Sequence, residues 1–189
     1  MDQATQIYRD NNGARCHYVD GRLHREDGPA VETLNGSQFW FFEGQKHRVD
    51  GPAVTYADGQ QEWWQLGRIH RLDGPAVITP HGDNYWFCND VRHRENGPAI
   101  EYYNGGFEYW IRGQLHRVGG PAVKYHTGAE YWYAYGKRHR DDGPAVTLST
   151  GQHEWWIDNR LLSEEDLFSH WLLNKKRLFP KQDSATIKT

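Results

Sequence analysis

Histidine, arginine and aspartate recur together along this chain at a fixed interval. His24, His47, His70, His93, His116 and His139 stand 23 residues apart, and each is followed by Arg25, Arg48, Arg71, Arg94, Arg117 or Arg140. Three residues after the His comes Asp27, Asp50, Asp73 or Asp142, replaced by Asn96 and Gly119 in two units. An imidazole near a carboxylate is the raw material of acid–base or metal chemistry. Yet the set is equivalent in nearly every unit, whereas a catalytic centre requires one asymmetric constellation. The twelve residues therefore read as a structural ladder. The Arg can hydrogen-bond the Asp or a turn carbonyl, the Gly-Pro that follows fixes the reversal, and the imidazoles pack between successive units. The remaining His17, His81, His126, His153 and His170 are scattered and read as surface or internally satisfied groups. No Cys-x-x-Cys pair supports a zinc site, and the glycines follow the 23-residue period instead of forming a phosphate loop. No catalytic residue, metal or cofactor is expected, and the chain reads as non-enzymatic.

The elements that must carry this ladder are strands. Beyond the His column, Pro29, Pro52, Pro75, Pro98, Pro121 and Pro144 keep the same period, as do Gly36, Gly59, Gly82, Gly105, Gly128 and Gly151. Within each unit the apolar pattern has period two, as in Glu62-Trp63-Trp64-Gln65 and Tyr131-Trp132-Tyr133-Ala134, which argues strand over helix. One face holds Trp40, Trp63, Trp86, Tyr109, Trp132 and Trp155, and these large rings are expected to form the interior. Val31, Val54, Val77, Ile100, Val123 and Val146 are expected to point inward from the second strand. Asn35-Gly36 and Asp58-Gly59 suit tight hairpins that need positive φ, and a second reversal falls at Glu43-Gly44, Leu66-Gly67 and their equivalents. A two-stranded hairpin cannot bury its own face, so the units must stack. The fold class is all-β: a stacked β-hairpin solenoid of six 23-residue repeats with a C-terminal capping α-helix.

The period resembles that of the MORN repeat family, whose units also run 23 residues with an aromatic strand, a Gly turn and a His. The matching string here is Tyr131-Trp132-Tyr133-Ala134-Tyr135-Gly136-Lys137-Arg138-His139, closing at Gly151, and the likeness spans about residues 13–160. Where the family uses glycines after the His, this chain has Arg-x-Asp-Gly-Pro-Ala, a variant similar to repeats of phage, giant-virus and protist proteins. The resemblance implies a solenoid used for protein contacts or, in some members, lipid contacts. A viral origin would further imply a phage-encoded inhibitor or sponge of a host defence system, acting in the host cytoplasm.

The ends depart from the period. Residues 1–20 read as a half-repeat cap, with Gly13 in the Gly column and His17 in the Trp column. The six repeats occupy 21–160. Over 161–180 the spacing predicts a helix N-capped by Ser163 with an acidic first turn. Its Phe168, Trp171 and Leu172 are expected to lie on the last hairpin, with Lys175 on the same face. Pro180 blocks continuation, and 181–189 reads as a flexible tail.

Strand alternation places Phe41, Trp64, Phe87, Trp110, Tyr133 and Trp156 opposite the Trp column, among Glu62, Glu108, Glu154, Arg112 and Asp158. Such a row is either a second buried layer or an exposed stripe of partner-binding anchors. Composition narrows the partner. A net charge of −3 argues against nucleic acid, which needs a concentrated positive field, and against an anionic membrane surface. No stretch approaches the ~20 apolar residues of a membrane-spanning helix. Cys16 and Cys88 occupy no repeated column, so both read as free thiols of a reducing, cytoplasmic compartment. The function expected is a protein-binding scaffold, with carbohydrate or another small ligand stacked on the aromatic stripe as the alternative and a lipid-associated module as the weaker one.

Overall fold

The computed structural model describes residues 5–178, for 171 and 173–178 the backbone alone. The fold is an all-β hairpin solenoid ending in one described helix, Glu164–Leu178. The chain divides into two compact units, Met1–Gln114 and Leu115–Thr189.

In the first unit a main sheet runs in strict antiparallel order. It joins Gln6–Arg9, Arg15–Val19, Val31–Glu32, Gln38–Phe39, Val54–Thr55, Gln61–Glu62, Val77–Ile78, Asn84–Tyr85, Ile100–Glu101 and Phe107–Glu108. In the second unit Val123–Lys124, Glu130–Tyr131, Val146–Thr147 and His153–Glu154 pair in the same way. Each repeat also leaves the main sheet and returns through a second hairpin, such as Phe41–Phe42 with Gln45–Lys46, or Tyr133–Ala134 with Lys137–Arg138. The single hairpin per repeat expected from the aromatic run is thus two. The corner between them is the Trp column. The backbone N–H of Trp63 donates to the Ala76 carbonyl at 2.8 Å in the main sheet, while the Trp63 carbonyl accepts from His70 N at 3.0 Å.

The core is not where the large rings predict it. Trp40, Trp63, Trp86, Tyr109, Trp132 and Trp155 are only half-buried. The sealed column is alanine: Ala30, Ala53, Ala76, Ala99, Ala122 and Ala145 are each 0% exposed. Val54, Ile100, Val123 and Val146 join them, whereas Val31 and Val77 stay half-buried. The Ala carbonyl accepts the backbone N–H of the preceding Trp at 2.7–2.8 Å, as Ala53 does from Trp40, and the sealed methyl beside that bond leaves no room for a longer side chain.

The two reversals also differ from a simple Asn-Gly reading. Thr33 N bonds the Ser37 carbonyl and Gly36 N bonds the Thr33 carbonyl, a three-residue loop in which Gly36 alone takes positive φ, at 91°. The turns with two positive φ values are the other set. Glu43, Leu66, Asn89, Arg112, Tyr135 and Asp158 lie at 46–49°, each followed by another left-handed residue.

At the start of the chain, Gln6–Arg9 pairs with Arg15–Val19, and His17 occupies the Trp corner with its N–H on the Ala30 carbonyl at 2.8 Å. Burial, then the nearby Arg25, lowers the His17 pKa. Its folded-state value therefore lies below the unfolded value of about 6.5, so the unfolded chain binds more protons in between. The stabilisation from His17 is complete above that unfolded value and is lost as pH falls towards the folded one. Urea midpoints measured from pH 7.5 down to 5 should fall less in His17→Gln than in the parent; parallel profiles would remove His17 as the cause.

At the other end Ser163 caps the helix as expected. Asp166 N reaches Ser163 Oγ at 3.2 Å and Ser163 N reaches Asp166 Oδ2 at 3.4 Å, a reciprocal pair. The same contact holds the Asp166 carboxyl below the usual range. The apolar face does not seat as predicted, because Phe168 is 63% exposed and Leu172 is also exposed. Contact with the last loop runs instead through His170 Nε2 and the Asp141 carbonyl at 2.9 Å. The side chains of Trp171 and Lys175, Pro180 and the tail over 181–189 lie outside the described residues.

Candidate functional site

Each His of the ladder holds the following repeat in place. Its Nδ1 accepts the N–H of a left-handed turn residue: Glu43 on His24, Leu66 on His47, Asn89 on His70, Arg112 on His93, Tyr135 on His116 and Asp158 on His139, at 3.1–3.3 Å. The imidazole therefore carries its proton on Nε2 when it makes this bond. The next turn residue donates to the carbonyl just before the His, as Gly67 N does to Lys46 at 2.9 Å. Where Asp90 and Asn159 replace the turn Gly, their Oδ1 atoms accept from Ile69 N and Arg138 N in the preceding repeat. The imidazoles join units through these bonds, while ring contacts go to turn or strand aromatics. His24 lies 4.9 Å from Phe42, and His116 stacks on Tyr135 at 4.1 Å.

A left-handed β-carbon residue costs roughly 1–2 kcal/mol, least for Asn. Leu66 bears that strain at φ 46° while 59% exposed, so little packing offsets it. Leu66→Asn should stabilise the chain by about 1 kcal/mol, read as a higher urea midpoint at unchanged slope. An unchanged or lower midpoint would show that the His47 bond already relieves the strain.

The arginines are confined by up to four neighbours. Arg25, Arg48, Arg71, Arg94, Arg117 and Arg140 donate Nη1 to the carbonyls of Pro29, Pro52, Pro75, Pro98, Pro121 and Pro144 at 3.0–3.3 Å. The guanidinium carbons of Arg48, Arg71, Arg94 and Arg140 sit 3.8–4.2 Å over Trp40, Trp63, Trp86 and Trp132. Nε of Arg25, Arg71 and Arg140 meets Asp27, Asp73 and Asp142 at 2.7–2.8 Å. These hydrogen bonds keep Asp27 and Asp73 ionised below the usual carboxylate range. The fourth neighbour is glycine. A Cβ on Gly28, Gly74, Gly120 or Gly143 would fall 2.6–2.9 Å from the guanidinium carbon. These glycines do not serve a left-handed turn; they make room for the arginine.

The stripe from Phe41 to Trp156 is half-buried at all six positions. It repeats every second unit. The indole N–H of Trp64, Trp110 and Trp156 donates to Glu62, Glu108 and Glu154 at 2.7–2.8 Å. A cation covers each of those rings: Lys46 at 4.3 Å, Arg92 at 5.3 Å and Arg138 at 5.0 Å. Phe87 shares Arg92 at 5.8 Å, and Tyr133 Oη accepts from Arg138 Nε at 3.3 Å, which raises the Arg138 pKa. The stripe is thus neither a sealed layer nor a row of bare rings. Lys46, Arg92 and Arg138 stand 46 residues apart, as do the three glutamates, so a doubled period in the sequence was the signal for these partners.

Among the described residues there is no group of three metal-ligating side chains, and no helix is long and apolar enough to cross a membrane. Cys16 and Cys88 are free thiols; burial raises the pKa of Cys16. No family model matches the chain, and no curated protein matches it either. The class defined by the fold is the β-hairpin repeat solenoid.

Proposed function

We propose that this chain is a non-enzymatic, protein-binding repeat scaffold. The observation that carries this reading is how the repeats divide their residues. The constant His, Arg, Ala, Gly and Trp are committed to holding one repeat on the next, whereas the most exposed apolar side chains stand where repeats differ. Val49, Leu72 and Val118 occupy the variable position of His-Arg-x-Asp-Gly-Pro and are 78–85% exposed. Val49 and Leu72 stand on adjacent loops, and neighbouring exposed apolar side chains, unlike scattered single ones, mark interaction surfaces. The likeness to MORN-type repeats of viral proteins points the same way and, extended, makes the partner a host defence protein. Affinity purification from host lysate with quantitative mass spectrometry should recover a stoichiometric protein. Recovery of none would overturn the reading.

Carbohydrate binding on the stripe is the second reading, favoured by rings that remain half-exposed. The cations over Trp64, Trp110 and Trp156 occupy the faces a sugar would need. Tryptophan fluorescence unmoved across a glycan panel would dispose of it.

A further inference from the structure

In the first unit the tips of four successive loops form a ridge with a character of its own. Val49 and Leu72, 78% and 82% exposed, occupy the same position of adjacent loops. Glu26 and Glu95 hold that position on either side, each 78% exposed. The next residues are Asp27, Asp50, Asp73 and Asn96, all exposed. The ridge therefore presents two aliphatic side chains among five carboxylates. The arginines below it are each held by a proline carbonyl: Arg25, Arg71 and Arg94 also pair with carboxylates and are only 24–29% exposed, and Arg48, Arg71 and Arg94 lie on indole faces. Between the third and fourth loops lies a cleft of about 680 Å3, walled by Arg71, Leu72, Pro75, Trp86 and Arg94 and edged by Asp73 and Glu95.

We propose that this ridge docks a basic amphipathic helix of a protein partner, its aliphatic side chains on Val49 and Leu72 and its lysines or arginines on Glu26, Asp50 and Glu95. The inference rests on the scaffold reading above and adds the surface and the chemistry of what it holds. Two strands per repeat separate successive loop tips by ~10 Å. Seven residues of an α-helix rise ~10.5 Å, so side chains at i and i+7 meet adjacent loops in register. The apolar pair alone supplies little specificity; Asp27 and Asp73 are already paired with Arg25 and Arg71, and it is Glu26, Asp50 and Glu95, held by no arginine, that select a positive partner and reject a negative one.

The probe is a labelled 21-residue helical peptide with Leu at heptad spacing and Lys at the flanking positions, set against the same peptide with Glu for Lys. Fluorescence anisotropy should show the Lys peptide binding the full chain at least tenfold more tightly than the Glu peptide. Val49→Ser with Leu72→Ser, and separately Glu26→Lys with Glu95→Lys, should each weaken it at least tenfold at unchanged circular dichroism and melting temperature. Equal binding of the two peptides, or affinity indifferent to both double variants, would overturn the proposal. The lysate experiment separates the two readings. A partner captured equally well by parent and ridge variants leaves the scaffold standing and refutes the ridge; no partner and no peptide binding refutes both.

Discussion

Gly74→Ala should cost about 2–3 kcal/mol, a large loss for a change of one methyl group on a loop. An added Cβ would stand 2.8 Å from the Arg71 guanidinium carbon. The Arg71 side chain cannot yield cheaply, because its head is held by the Pro75 carbonyl, by Asp73 and by the face of Trp63 4.2 Å away. Moving it loses a charge-assisted hydrogen bond and leaves that carbonyl to find water. The backbone itself is not at issue, since Gly74, unlike Gly67, does not take the left-handed conformation. Propensity alone would make the change neutral or slightly stabilising, so the sign is diagnostic. The decisive measurement is a double-mutant cycle by urea denaturation. In an Arg71→Ala background Gly74→Ala should cost less than about 0.5 kcal/mol, because the obstructing group is gone. Equal costs in both backgrounds would mean the glycine serves the backbone and not the arginine.

Nothing in the spacing of Gly74 separates it from a turn glycine. The 23-residue period, the strands, the second reversal and the Ser163 cap were legible, because each rests on spacing and local backbone chemistry. The roles of the recurring residues were not, because they depend on contacts between units. Gly28 and Gly36 look alike in the sequence, yet one makes room for a guanidinium and the other supplies a left-handed φ of 91°. Ala53 passes for filler beside Trp63, yet it is sealed while the ring is half-exposed. Residue size points to the rings as the interior, yet at Trp40, Trp63, Trp86 and Trp132 an arginine covers a half-exposed ring. The stripe was undecided for a related reason: Lys46 reaches Trp64 only across the repeat boundary. Phe168 fails differently, since helical spacing shows which residues share a face but not what that face meets.

The arginine's platform can be removed instead of its clearance, and Trp86→Ala should then cost about 3 kcal/mol. The ring is half-buried, so the loss from apolar area alone falls below that of a sealed core tryptophan. What adds to it is Arg94, 3.8 Å above the ring and bonded to the Pro98 carbonyl and to Glu101. Without the indole this cation keeps its partners but loses the surface that orients it. Two further variants separate area from electrostatics. Trp86→Phe retains a π face and should cost about 1 kcal/mol, whereas Trp86→Leu retains apolar bulk and should cost roughly 1 kcal/mol more than that. If Leu and Phe are equivalent, the arginine is simply packed on the ring and the cation–π contact contributes nothing. Position along the stack supplies a second reading. An interior repeat is coupled to a neighbour on each side, so weakening it should broaden the unfolding transition and lower its denaturant slope, as the cooperative array is divided. A single sharp transition with unchanged slope in Trp86→Ala would instead show that the first unit unfolds as one block, with couplings between repeats stronger than the tryptophan they surround.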